Sequence, residues 1–176
     1  MSRPLSRSKA DTTIALRKPT RLGGLSPIVW ERDDMKVILR RATEADAKHA
    51  ASLLTELGYP STEADARSRL VRSLRSATSY CLVAESAGEV VGLISAELVF
   101  YFPTGSTICR ITSLVVSSQR RGHGLGQRLL TAAIDFAREH HCSGLELTSA
   151  EGRVDAHRFY RRLGFSRTSF RFFQTV

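Results

Sequence analysis

The chain has 176 residues, of which 42% are hydrophobic and 24% charged, with a formal net charge of +9. That length carries one domain with a core of its own, and the composition sits near soluble globular averages, which excludes disordered, fibrous and membrane-spanning classes. The basic excess draws anions, and nucleic acid, acidic protein and a polyphosphate cofactor are the three candidates.

Residues 1–34 hold Pro4, Pro19, Pro27, Gly23 and Gly24 among Ser, Thr and Arg, with no spacing of apolar residues that builds an element. They read as a flexible basic N-terminal extension ahead of a domain over 35–176. Their Arg- and Ser-rich character fits an organelle transit peptide; the plainer account is a functional start at Met35. No apolar run approaches the roughly 18 residues of a membrane span, and no signal-like apolar core opens the chain, so a cytoplasmic location is expected. Cys81, Cys109 and Cys142 are odd in number and form no CxxC pair, which makes them reduced packing residues.

Residues 36–41 (KVILRR) predict a first strand. Thr43, with Asp46 three residues on, caps a helix that Gly58 and Pro60 stop, and Thr62 opens a second helix with Leu70, Val71 and Leu74 at helical spacing. Residues 79–85 and 90–102 read as an antiparallel pair around Ser86, Ala87, Gly88 and Glu89. A strand over 108–116 leads to a helix over 124–140, whose Leu125, Leu129, Ala133, Phe136 and Ala137 mark one apolar face. Then follow a strand over 144–149, a helix over 155–163 and a last strand region over 165–176. The order β α α β β β α β α β predicts an α/β fold, a mixed sheet with helices on both faces, in which the unit over 108–149 is parallel.

The segment SSQRRGHGLG after Val116 packs Arg120 and Arg121 beside Gly122, Gly124 and Gly126, where a strand turns into a helix. Glycines let a backbone take positive φ and approach a ligand closely, a helix start adds partial positive charge, and the arginines add more, so the segment suits an anion. The plain alternative is an ordinary turn with a solvated basic face. A Walker A loop needs Lys and then Ser or Thr after its last Gly, but Gln127 and Arg128 follow Gly126. A dinucleotide fingerprint needs GxGxxG tight on its strand, and position 127 is Gln.

QRRGHG at 119–124 resembles the Q/R-x-x-G-x-G/A pyrophosphate loop of the GNAT acetyltransferase superfamily. It lies between ITSLVVS and LGQRLL, and AHRFYRRLGF at 156–165 resembles that family's last-helix motif, so the resemblance covers about residues 36–176. It implies a mostly antiparallel sheet with a V-shaped split between the strands near 108–116 and 144–149. It also implies acetyl-coenzyme A as co-substrate, without a metal. The pantetheine arm would lie along Leu114, Val115 and Val116, and Gln119, Arg120, Arg121, Gly122, His123, Gly124, Leu125 and Gly126 would hold the pyrophosphate. Arg153, Phe159 and Tyr160 would line the arm.

Amine acetylation needs a free amine, a polarised thioester carbonyl and a proton for the departing thiolate. The resemblance assigns the backbone of Leu114 to the carbonyl and Tyr160 to the proton, although Tyr160 beside Phe159 also suits plain packing. No base can be carried over, because the strand offers Arg110 and Thr112 where some relatives place Glu. Glu97, Glu151, His157 and a chain of waters are the candidates. Arg153 stands where many relatives carry Asn, and the short tail after Gly164 leaves the substrate wall reduced or borrowed from a neighbouring subunit, so a homodimer is among the expected partners.

His140, His141 and Cys142 are adjacent on a helix end and point in different directions, which favours dipole-compensating histidines over a metal site. The competing classes are a nucleic-acid-binding basic protein, which lacks a recognition motif, and a non-catalytic acyl-coenzyme A sensor on the same fold. The segments expected to line the acceptor site, 57–61 and 100–106, leave small-molecule and protein amines both open.

Overall fold

A computed structural model describes residues 27–32 and 35–176. The runs rich in Val, Ile, Leu and Tyr form β1 (Ile28–Arg32), β2 (Met35–Arg41), β3 (Ser79–Ser86), β4 (Glu89–Tyr101), β5 (Ser106–Val116) and β6 (Gly144–Leu147). Their order in the sheet is the order in the chain. Pairs β1 to β5 are antiparallel, and β6 alone runs parallel to its neighbour β5. The β3–β4 connection is a two-residue turn in which Ala87 and Gly88 both take positive φ, 52° and 81°, matching the twist of the strands it joins.

Two helices cover each face. On one side α1 (Ala47–Glu56) and α2 (Glu63–Arg75) pack Ala50, Leu53, Ala66 and Leu70 on Val83, Leu93 and Val115. On the other, α3 (Leu125–Glu139) packs Leu125, Leu129, Leu130 and Phe136 on Leu82, Ile94 and Ile111, with α4 (Val154–Arg162) adding Phe159 and Tyr160 at the margin. Leu129 is fully buried, and a Cβ at Gly92 would lie 3.1 Å from its Cδ1, so sheet and helix are in tight contact there. Leu129→Ala is therefore expected to cost about 2–5 kcal/mol in urea unfolding, the range for emptying a core site that cannot collapse.

The start of α1 is anchored by charge. Buried Asp46 accepts from Arg40 Nη2 at 2.8 Å and from the Thr43 N–H at 2.7 Å, while Arg40 Nε donates to Glu85 at 2.7 Å. Burial opposes ionisation of Asp46, but these bonds outweigh it and hold the carboxyl below the usual carboxylate range. At α2, Thr62 and Asp65 exchange bonds as a capping box, each at 3.1 Å.

Two expectations need correction. Strand β1 lies inside the segment expected to be a flexible extension, and it pairs Ile28 with Leu39 through Arg32 with Met35. Its three apolar, β-prone residues gain an edge to pair with only once β2 exists. The rest of that extension, 1–26 and 33–34, lies outside the described residues. The last strand expected over 165–176 does not form. Phe172 and Phe173 break the alternation a strand needs, Arg167 and Arg171 settle over the rings of Phe170 and Phe173, and four-residue β6 offers a short edge.

One irregularity shapes the site. The β4–β5 register runs Ser95 with Ser113 and then Ala96 with Ile111, leaving Thr112 as an extra residue, a bulge. Pairing of β5 with β6 ends at Ile111 with Leu147. Beyond the bulge the two strands part, so β5 from 112 to 116 keeps β4 on one edge and an open groove on the other.

Candidate active site

The open edge presents backbone groups. Ser117 donates its N–H to the Val91 carbonyl at 2.9 Å, so by strand alternation the N–H and C=O of Val116 and Leu114 point away from β4 into the split. Val115 is buried among the α1–α2 residues, whereas Leu114 and Val116 rest on the α3 side. Opposite packing of alternate residues clamps the strand in this orientation.

The connection to α3 follows at once. A 3₁₀ turn over Ser118–Arg120 leads to Gly122 and Gly124 with φ of 84° and 77°. A Cβ at either would meet nothing within 4 Å, so the backbone conformation, not crowding, calls for glycine. Gly126 differs: a Cβ there would touch the Phe159 ring at 3.4 Å, and the missing side chain lets α4 sit on the first turn of α3. The Arg120 N–H is used by Ser117 and the Arg128 N–H by Gly124, at 2.8 and 3.1 Å. Among the described residues, the N–H groups from Arg121 to Gln127 have no acceptor in the protein. Such a row of amides at a helix start, with Gln119, Arg120 and Arg121 exposed beside it, has the chemistry to take a diphosphate.

Sequence spacing carries no trace of what ties this loop down. Glu56, at the end of α1, accepts the Ser118 N–H at 2.8 Å and lies 3.6 Å from Arg121 Nη2. Arg121 Nε in turn donates to the Val116 carbonyl at 3.0 Å, and His123 Nδ1 donates to the Arg121 carbonyl at 2.9 Å. The first of these bonds covers a carbonyl of the open edge with a side chain from the Gly-rich loop.

Tyr160 sits on α4 between Phe159 and Phe165, with ring centroids 5.2 and 5.7 Å away. Burial pushes its hydroxyl above the usual tyrosine range, and the charge of Arg153 pulls it partly back. Among the described residues the hydroxyl has no hydrogen-bond partner. His157 lies one turn earlier and is half-buried. Arg153 turns away from α4 to donate to the Leu57 carbonyl at the end of α1. Between β6 and α4, the buried Ser149 hydroxyl has no partner among the described residues.

Of the acidic candidates, Glu97 accepts from Ser79 Oγ at 2.5 Å, and the exposed Glu151 lies 3.6 Å from Arg167. Arg110, on the strand where some relatives have a carboxylate, pairs with Glu146 at 2.5 Å. Among the described residues no group of three or more His, Cys, Asp and Glu is placed to hold a metal ion. The His140 ring lies tilted against Phe136 with centroids 4.2 Å apart, and its Nδ1 bonds to the Phe136 carbonyl.

Beside the bulge lies a pocket of about 450 Å³ walled by Leu54, Leu57, Tyr59, Arg69, Thr112 and Ser113. Half of the expected acceptor region, 57–60, is there. The other half, 100–106, is not, because it sits at the far end of β5, about 20 Å from Thr112 at about 3.3 Å per residue. Arg69 and the bulge residues were not foreseen as pocket walls, since only the packing of α1 and α2 over the sheet brings them together.

The sheet parts beside an open strand edge, with unengaged amides at its mouth. The chain belongs to the acetyltransferase (GNAT) family, whose model matches residues 39–165, and is thus an N-acetyltransferase. It is 34% identical over 148 residues to an aminoalkylphosphonate N-acetyltransferase of Salmonella typhimurium, covering 82% of this chain and 96% of that one. Of the rodent N-acetyltransferases that it also matches, the chain spans less than half the length. The fold is similar to a crystal structure described as a transcriptional regulator from Bacillus halodurans, with a TM-score of 0.73, 26% identity and coverage of 80% and 99%. An aminoglycoside N-acetyltransferase in complex with CoA shares the fold at a TM-score of 0.73 and 15% identity, covering 84% and 99%. No helix among the described residues is long and apolar enough to cross a membrane.

Proposed function

We propose that the chain moves an acetyl group from acetyl-coenzyme A directly to a primary amine of a small molecule or protein, with Tyr160 as general acid. The observation that carries this reading is the row of N–H groups from Arg121 to Gln127 without protein acceptors, set beside the open edge of β5. These amides, the α3 N-terminus and Arg120 hold the pyrophosphate. Arg121 leaves the Val116 carbonyl for a phosphate oxygen, freeing that carbonyl for a pantetheine amide. The Leu114 and Val116 backbone then pairs with the pantetheine arm as with an added strand.

The Leu114 N–H polarises the thioester carbonyl, a donor role typically worth about 3 kcal/mol in the transition state. The amine nitrogen forms the new C–N bond as the C–S bond breaks. Tyr160 gives its proton to the leaving sulfur, and Arg153 favours the phenolate left behind. The proton lost by the amine goes to water or to the His157 imidazole, one helical turn before Tyr160. A pocket of this volume next to Thr112 and Ser113 suits a small acceptor. The Salmonella typhimurium relative named for small amino compounds and the CoA complex of the aminoglycoside enzyme agree with it.

The test is thiol release from acetyl-coenzyme A across a panel of amines. Release that rises with amine concentration is expected; tight cofactor binding with no release for any amine would instead make the chain a sensor.

A further inference from the structure

The pocket beside the bulge carries a charge pattern that chooses among amines. Its walls include Leu54, Leu57, Tyr59 and Pro60, the hydroxyls of Thr112 and Ser113, and one cation, Arg69; no Asp or Glu lines it. Arg69 Nη1 donates to the neutral Ser61 hydroxyl at 2.8 Å, which orients the guanidinium without neutralising it. Asp65, one turn earlier on α2, lies within electrostatic reach, but its Oδ2 is spent on the Thr62 N–H and hydroxyl at 3.1 and 2.8 Å. Among the described residues Arg69 forms no ion pair. At the other rim the Arg153 guanidinium lies against Gly58 and bonds to the Leu57 carbonyl, adding a second positive charge. Thr112 and Ser113 precede Leu114 directly, so the pocket adjoins the proposed site of transfer.

A polycationic acceptor would meet Arg69 and no carboxylate in the lining of such a pocket. An acceptor with a negative group would meet a planar fork of donors that matches phosphonate and carboxylate oxygens. We propose that the acceptors are small primary amines bearing a phosphonate, phosphate or carboxylate, and that Arg69 binds this anionic group and sets the specificity. The inference rests on the acetyltransferase reading and narrows its acceptor.

Four amines of similar size separate the possibilities: 2-aminoethylphosphonate, β-alanine, ethanolamine and ethylenediamine. The wild-type chain should favour the anionic pair over ethanolamine by about 10- to 100-fold in kcat/KM, the range of a charge-assisted bond, with ethylenediamine poorest. The order of the phosphonate and β-alanine tells which anion the pocket fits better. In Arg69→Gln the ratio of anionic to neutral amine should fall to near one, chiefly through KM, and Arg69→Lys should restore part of it. Equal or better use of ethanolamine or ethylenediamine by the wild type, or a ratio untouched in Arg69→Gln, overturns the proposal while leaving acetyl transfer standing. Thiol release with none of the four amines, nor with any of the wider panel, strikes the transfer reading itself.

Discussion

Tyr160→Phe should lower kcat by about 10²-fold or more, the span that a positioned acid contributes, while the acetyl-coenzyme A Kd shifts little. The substitution removes one oxygen and keeps the ring, so the contacts with Phe159 and Phe165 remain and the fold loses nothing large. Burial above the usual tyrosine range keeps the hydroxyl protonated through the working pH. The acid-dependent limb of the pH profile should therefore fall above the ordinary tyrosine range. The neighbouring charge of Arg153 makes the donated proton less costly to lose. Steady-state rates with calorimetric cofactor titration decide it: an unchanged kcat removes Tyr160 from the chemistry and leaves it as packing.

Gly124→Glu should raise the acetyl-coenzyme A Kd by about 10²-fold or more, equivalent to losing about two charge-assisted bonds of about 1.5–3 kcal/mol each. Two effects add. Any L-residue at φ 77° carries a conformational cost of about 1–2 kcal/mol that tilts the loop toward other backbone states and misaims its amides. The carboxylate also brings negative charge to a site meant for phosphate. Gly105 supplies the control, since it has φ 63°, is as open around its Cα, and lies at the opposite end of β5 from the loop. Gly105→Glu should show similar strain in thermal unfolding with cofactor affinity retained. Equal affinity in wild type and Gly124→Glu would mean that the loop does not hold the diphosphate.

Several elements could be read directly from their residues. The apolar stripe of Leu125, Leu129, Ala133 and Phe136 specifies α3 because one helix face collects them whatever the surroundings. Thr62 with Asp65, and Ala87 with Gly88, mark boundaries through local bonding and backbone sterics. Strand β1 was legible in principle, since Ile28, Val29 and Trp30 stand between Pro27 and the pair Asp33-Asp34. Its proline-rich context masked it, and only the edge of β2 makes so short a run pay its ordering entropy. At the tail, aromatic content suggested a strand that no partner edge supports.

The sequence by itself determined the family, the Gly-rich turn before α3 and the order of most elements, because these depend on backbone sterics, local hydrogen bonds and periodicity within a few residues. Tertiary structure alone decided where β5 leaves β6, since a bulge at Thr112 exists only relative to the register of β4. It also decided that Glu56 reaches Ser118 across 62 positions, and that Arg69 shares a pocket with Thr112 and Ser113. Contacts of that kind come from helices packing over a sheet, and their energy depends on distances in space that no spacing along the chain encodes.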